Sequence, residues 1–320
     1  MILFMRNSEL TKFWIKIAAI ILIFISLAGI FNKITDASYE KRNFGAYKDK
    51  LQSLANLEGH KTVFVGGSSV LFGVNAEYYE KLSGETTINM GLHAFKLYDI
   101  YFSTIKPYLH EGDTVVLAFE YSPYVDDWDG YDTAGLLTAH MSGSYYKCMD
   151  NKYRGIYTYQ QLLMSYEKIK NYVYTNLIEK RLKGEEKRYL RSNIDSRWGD
   201  IKKGVAVASE NPTPYKISKT VNPSSMNEIL KNIKEYESLG VKVYIVFPPI
   251  YTESASAYED GEQIYNEIKS YFGDRVLGKP SDCIYKDNQK FLDTAYHLTY
   301  DECLRHTEYY YSLLKDNMNQ

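Results

Sequence analysis

Residues 13 to 31 read FWIKIAAIILIFISLAGIF, nineteen residues whose only charge is Lys16. Nothing else in the chain restricts its fold as strongly. At about 1.5 Å per residue such a helix spans about 28 Å, close to the hydrocarbon thickness of a bilayer, and apolar runs of this length are unusual in water-soluble domains. Lys16 lies near one end, where its side chain can snorkel to the interface. Arg6, Lys12 and Lys16 favour a cytoplasmic segment 1–12 followed by a transmembrane anchor 13–31, although Lys33, Lys41 and Arg42 weaken the contrast. Two other readings stay open. Ser26-Leu27-Ala28 offers the small residues of a signal-peptide cleavage site, which also implies export, and the run can instead be a buried core helix.

Residues 32–60 are polar and read as a stalk with a short helix over 46–55. From residue 61 the pattern changes. Lys61-Thr62-Val63-Phe64-Val65 is a β-prone run closed by Gly66-Gly67-Ser68-Ser69, and 86–90, 114–119 and 241–247 repeat the theme. Helical stretches over 95–108, 224–238 and 258–271 alternate with these strands, which predicts an α/β fold with a parallel sheet and helices on both faces. The interval from about 120 to 222 breaks the alternation and reads as a helical cap insertion. Within it, a helix over 158–192 carries Lys180, Arg181, Lys183, Lys187, Arg188 and Arg191 among Glu179, Glu185 and Glu186, the pattern of a solvated face. Contact with an anionic polymer or lipid headgroups is the other reading of that face.

With 38 basic and 40 acidic residues the net charge is -2, so no global field draws the chain to nucleic acid. Cys148, Cys283 and Cys303 form no CxxC pair, and neither a metal site nor a cofactor is expected. The 32 tyrosines suit either a tyrosine-rich core or a carbohydrate-binding surface.

Ligands of an open parallel sheet bind beyond the carboxyl ends of the strands, where Ser68 sits in a glycine turn that leaves its hydroxyl accessible. Ser69 is the alternative nucleophile. Near the C-terminus, Phe291-Leu292-Asp293-Thr294-Ala295-Tyr296-His297-Leu298-Thr299 places Asp293 and His297 just before a helix that the Thr299/Glu302 capping box starts at about Tyr300. A carboxylate beside an imidazole fixes its tautomer and stabilises the imidazolium formed when it takes a serine proton. His93, just after Gly91, reads either as a further site residue or as a helix start.

VFVGGSSVLFGVN resembles the first block of the SGNH (GDSL-like) hydrolases, with Gly67 in place of the usual Asp, and FLDTAYHLT resembles their last block. The pairing is closest to the membrane-anchored, DltD-like branch associated with polysaccharide O-acylation. The resemblance spans roughly 61–320, although its specific motifs amount to fewer than 25 residues. It implies a three-layer, SGNH/flavodoxin-like sandwich in which Ser68 is the nucleophile, His297 the base and Asp293 its orienting carboxylate. Asn89-Met90-Gly91 is similar to the block that supplies an oxyanion-hole glycine, so Gly91 joins the Ser68 N–H as a donor. The asparagine block after the third strand is absent; Phe119-Glu120-Tyr121-Ser122 stands there. Ser69, Asn89, Glu120, Tyr121 and Tyr296 are the candidate substrate contacts. The expected function is a single-pass, extracytoplasmic acyltransferase or esterase acting on a cell-surface glycan or teichoic-acid-like polymer. The alternative is a catalytically weak polymer-binding partner of an integral-membrane O-acyltransferase.

Overall fold

The computed structural model describes residues 7–94, 96–128, 130, 132–143, 170, 172–174, 190–205 and 211–318. The chain divides into two bodies, one made of residues 1–40 with 151–186 and the other of 41–150 with 187–320. In the first, helix α1 (Asn7–Glu40) contains the apolar run and extends beyond it at both ends, with Ile15, Leu22, Phe24 and Ile25 largely exposed. It is long and apolar enough to cross a membrane.

The second body opens with α2 (Asn43–Ala55). Tyr47, Lys50, Leu51 and Leu54 fall on one stripe at helical spacing and are buried. These residues therefore belong to the folded body; the expected stalk is shorter than 32–60.

Four short, β-branched-rich strands follow: β1 (Lys61–Val65), β2 (Thr86–Asn89), β3 (Thr114–Leu117) and β4 (Lys242–Ile245). They pair in parallel in the order β2-β1-β3-β4, with Val63 opposite both Ile88 and Val115, and Val115 opposite Val243. Ladder bonds continue one residue further, from Met90 N–H to Phe64 O, Ala118 N–H to Val65 O and Val246 N–H to Leu117 O. On one face Phe64, Val116, Ala118 and Val246 pack with Val70 of α3 (Ser68–Gly73), Tyr79 of α4 (Ala76–Ser83) and Tyr310 of the C-terminal helix. Side chains alternate along a strand, so Phe119 faces the other way, against Phe102 of α5 (Ile100–Ser103); Phe102 in turn meets Tyr236. The helix expected over 95–108 is thus reduced to α5 and a 3-10 turn at Lys106–Tyr108, whose second residue is Pro107.

The long connection from β3 to β4 holds α6 (Ser122–Val125), α7 (Thr133–Ser142) and α8 (Pro223–Glu237). Lys180, Arg181, Lys183, Lys187 and Arg188, and nearly all of the expected helix 158–192, lie outside the described residues. Its end differs from expectation: Leu190 forms an antiparallel bridge with Arg42, and Arg191 is paired with Asp49, Nε to Oδ2 at 2.6 Å, rather than standing in solvent. Residues 190–205 run beside the sheet, where Trp198 O accepts the Asn89 N–H and Asp200 binds the first amides of α4. This part of the insertion is packed into the body instead of capping it.

After β4 come β5 (Ile250–Tyr251), α9 (Ala257–Phe272), β6 (Ile284–Tyr285) and α10 (Tyr300–Met318), with β5 and β6 paired in parallel. Helix α10 begins at the predicted residue. Glu302 pairs with Lys290 and Arg305.

Candidate active site

The sheet order reverses between β1 and β3, since β2 lies to one side of β1 and β3 to the other. Loops leaving adjacent strands on opposite sides of such a switch point part from each other and leave a crevice. Ser68 follows β1 there, and Glu120 follows β3.

Gly66 and Gly67 sit where a side chain would collide with its neighbours. A Cβ on Gly66 would lie 2.7 Å from Ala118 O, and one on Gly67 would overlap both carboxylate oxygens of Glu120. Ser68 then opens α3 and is almost buried. Its hydroxyl is 3.5 Å from Glu120 Oε1. The N–H groups on either side, of Gly67 and Ser69, donate to the same carboxylate at 3.2 and 2.7 Å.

Asp293 and His297 lie in a loop closed on itself by Leu292 N–H to His297 O and Thr299 N–H to Lys290 O. Strand β5 supports it, Tyr251 N–H donating to Ala295 O. Within the loop, His297 Nδ1 is 2.8 Å from Asp293 Oδ1. That contact directs the Nδ1 proton to the carboxylate and leaves Nε2 as the basic nitrogen. The imidazole stacks on Phe72, with centroids 4.2 Å apart and planes at 21°. Phe72 stands one helical turn after Ser68, so the two share a face of α3. The structure thereby brings the Asp293–His297 pair to the serine's face of the helix, although the Ser68 hydroxyl is directed at Glu120, across a long 3.5 Å, and not at His297.

Several expected roles change. Gly91 packs against α3, where a Cβ would lie 2.6 Å from that of Val70, but its N–H donates to Asn89 Oδ1 at 2.8 Å. It is therefore not an open oxyanion donor. Asn89 is fully buried and donates from Nδ2 to Val70 O at 3.0 Å and Val74 O at 2.8 Å, which makes it a brace of α3 and not a substrate contact. The Ser69 hydroxyl donates to Ala118 O at 3.2 Å and faces the sheet, away from any nucleophilic role. Tyr121 is buried, stacked on Tyr215 at 6.3 Å, and Tyr215 meets Tyr296 at 5.2 Å. Burial keeps the hydroxyls of Tyr121 and Tyr296 protonated far above the usual phenol range. His93 stacks on Phe44 rather than starting a helix. Burial, reinforced by the nearby His297, pulls its imidazole down to about 4, so it is neutral at physiological pH.

Phe72, Tyr215, Lys50 and Asp200 also belong to these surroundings, with no motif to mark them. Lys50 donates from Nζ to Gly91 O, and burial pulls its ammonium down to about 7, the charge of Asp200 opposing that shift. Burial pushes Asp200 up to about 7, against the pull of the Ala76 and Glu77 amides. Two buried ionisable groups thus interact with each other, with Lys50 also holding Gly91. Among the described residues no cluster of His, Cys, Asp and Glu is arranged to hold a metal ion. No protein-family model, curated protein or solved structure matches the chain.

Proposed function

We propose that the chain is a serine-dependent acyl-transfer enzyme of SGNH type, anchored in the cell membrane by a single pass through α1, with the second body outside the cytoplasm. The parallel sheet would form the middle layer of the three-layer sandwich that the resemblance implies. The observation that carries the reading is the Asp293–His297 pair stacked on Phe72, one turn from Ser68, at the switch point of the sheet.

In this mechanism the Ser68 hydroxyl rotates from Glu120 to His297 Nε2, which takes its proton as Oγ attacks the acyl carbonyl. The Ser68 N–H faces the oxyanion, and Asp293 stabilises the imidazolium. Collapse expels the leaving group, protonated by His297, and leaves an acyl-serine. A hydroxyl of the acceptor or a water molecule then gives its proton to His297 and attacks the acyl carbon, and His297 passes that proton to Oγ as Ser68 leaves. A glycan or teichoic-acid-like polymer at the cell surface fits as acceptor. An integral-membrane O-acyltransferase fits as partner. Turnover of a small acetyl ester by the wild type and its loss in Ser68→Ala test the reading.

A second reading is favoured by the Ser68 hydroxyl facing Glu120 and by the Gly91 N–H being taken. It describes a catalytically weak protein that binds polymer for such a membrane partner. Polymer binding without ester turnover would support it.

A further inference from the structure

Glu120 is 2% exposed. A carboxylate buried to that degree is stable only when donors fill its lone pairs. Here the donors belong to three consecutive residues of one turn: Gly67 N–H to Oε2 at 3.2 Å, Ser69 N–H to Oε1 at 2.7 Å, and the Ser68 hydroxyl toward Oε1 at 3.5 Å. One carboxylate therefore brackets the serine from both sides. The dependence is mutual. Gly67 has a φ of -85°, outside the left-handed region, and a side chain there would meet the carboxylate itself.

The SGNH resemblance would put an asparagine donor after this strand. A carboxylate has the opposite character: it only accepts, and its negative charge opposes an alkoxide developing nearby. Holding the turn is a task for which those properties are suited, because charge-assisted bonds to backbone amides are stronger than neutral ones.

We propose that Glu120 is the positioning residue of this site, fixing the Gly67–Ser69 turn and parking the Ser68 hydroxyl in the resting state without touching the acyl group. The proposal rests on the reading of Ser68 as nucleophile. It removes Glu120 from the substrate contacts and gives Gly67 its reason.

The test uses the full chain in detergent and the variants Glu120→Gln, Gly67→Ala and their combination, with p-nitrophenyl acetate as substrate. Glutamine can still accept the Ser69 N–H, but it turns an NH2 donor toward the Gly67 N–H. We expect kcat to fall about tenfold or more while KM stays within about twofold. Gly67→Ala should do the same by pushing the carboxylate away, and the double variant should be little worse than the poorer single one, since both break the same contact. Amide hydrogen exchange of a peptide covering 64–72 should quicken in each variant while that of α10 stays unchanged.

A raised KM with unchanged kcat would make Glu120 a substrate contact and overturn the proposal. A rise in kcat would mean that the carboxylate obstructs the oxyanion, with the same consequence. Unchanged exchange in the turn would show that Glu120 does not hold it. If the wild type has no turnover, the nucleophile reading fails, and the exchange measurement still decides whether Glu120 fixes the turn.

Discussion

Replacing Asn89 by alanine separates a brace from a substrate contact. The side chain makes three buried hydrogen bonds, donating to Val70 O and Val74 O and accepting the Gly91 N–H. Alanine cannot replace any of them, and no solvent reaches the site to do so. At about 1–1.5 kcal/mol for each bond lost with its partner left buried, Asn89→Ala should destabilise the fold by about 3–5 kcal/mol. In a body of this size that lowers Tm on the order of 10 °C. Asn89→Asp should be at least as harmful in spite of its shape, because it points a second acceptor at two carbonyls. Thermal unfolding of the full chain in detergent, followed by far-UV circular dichroism, measures the effect. If Tm stays within about 2 °C of wild type while KM for an ester rises, Asn89 is a substrate contact and the bracing argument is wrong.

The pH dependence of stability tests the buried Lys50. Folded, it gives up its proton at about 7 instead of 10.5. Between those values the unfolded chain binds the extra proton, so this group makes stability rise as pH rises. Lys50→Met should flatten the increase in Tm between pH 7 and 10; an unchanged slope would contradict the shift. At Gly91 an added methyl would overlap Leu71 N and crowd Val70, so Gly91→Ala should destabilise by about 1–3 kcal/mol in chemical denaturation, and a neutral effect would show that the loop is not pressed against α3.

The strands were legible because buried parallel strands are short continuous runs of β-branched and apolar residues, and each here is followed by glycine or by a turn. The Asp293–His297 contact was legible because the residues are four apart in one loop. Ser69 and Asn89 were misread for a physical reason: residue type and position do not say which way a side chain points, and both turn inward to satisfy carbonyls of the sheet and of α3. Gly91 was expected to donate beside the Ser68 N–H, yet the acceptor for its N–H sits two residues upstream in Asn89, a local bond that a spacing rule does not reveal. Lys50 carries a signal in its position. It lies on the same helical stripe as Tyr47, Leu51 and Leu54, where a surface lysine would not be expected. Pro107 likewise marked the break in the helix expected over 95–108.

Covalent capture at Ser68 is the most direct test of serine-dependent acyl transfer. The full chain in detergent is treated with a fluorophosphonate, the adduct is mapped by peptide mass spectrometry, and the labelling rate is compared between the wild type, Ser68→Ala and Asp293→Asn. We expect a single adduct on Ser68, none in Ser68→Ala, and labelling slowed about a hundredfold or more in Asp293→Asn, since the imidazole loses the partner that sets its tautomer. An adduct at another residue, or labelling that persists in Ser68→Ala, would contradict it.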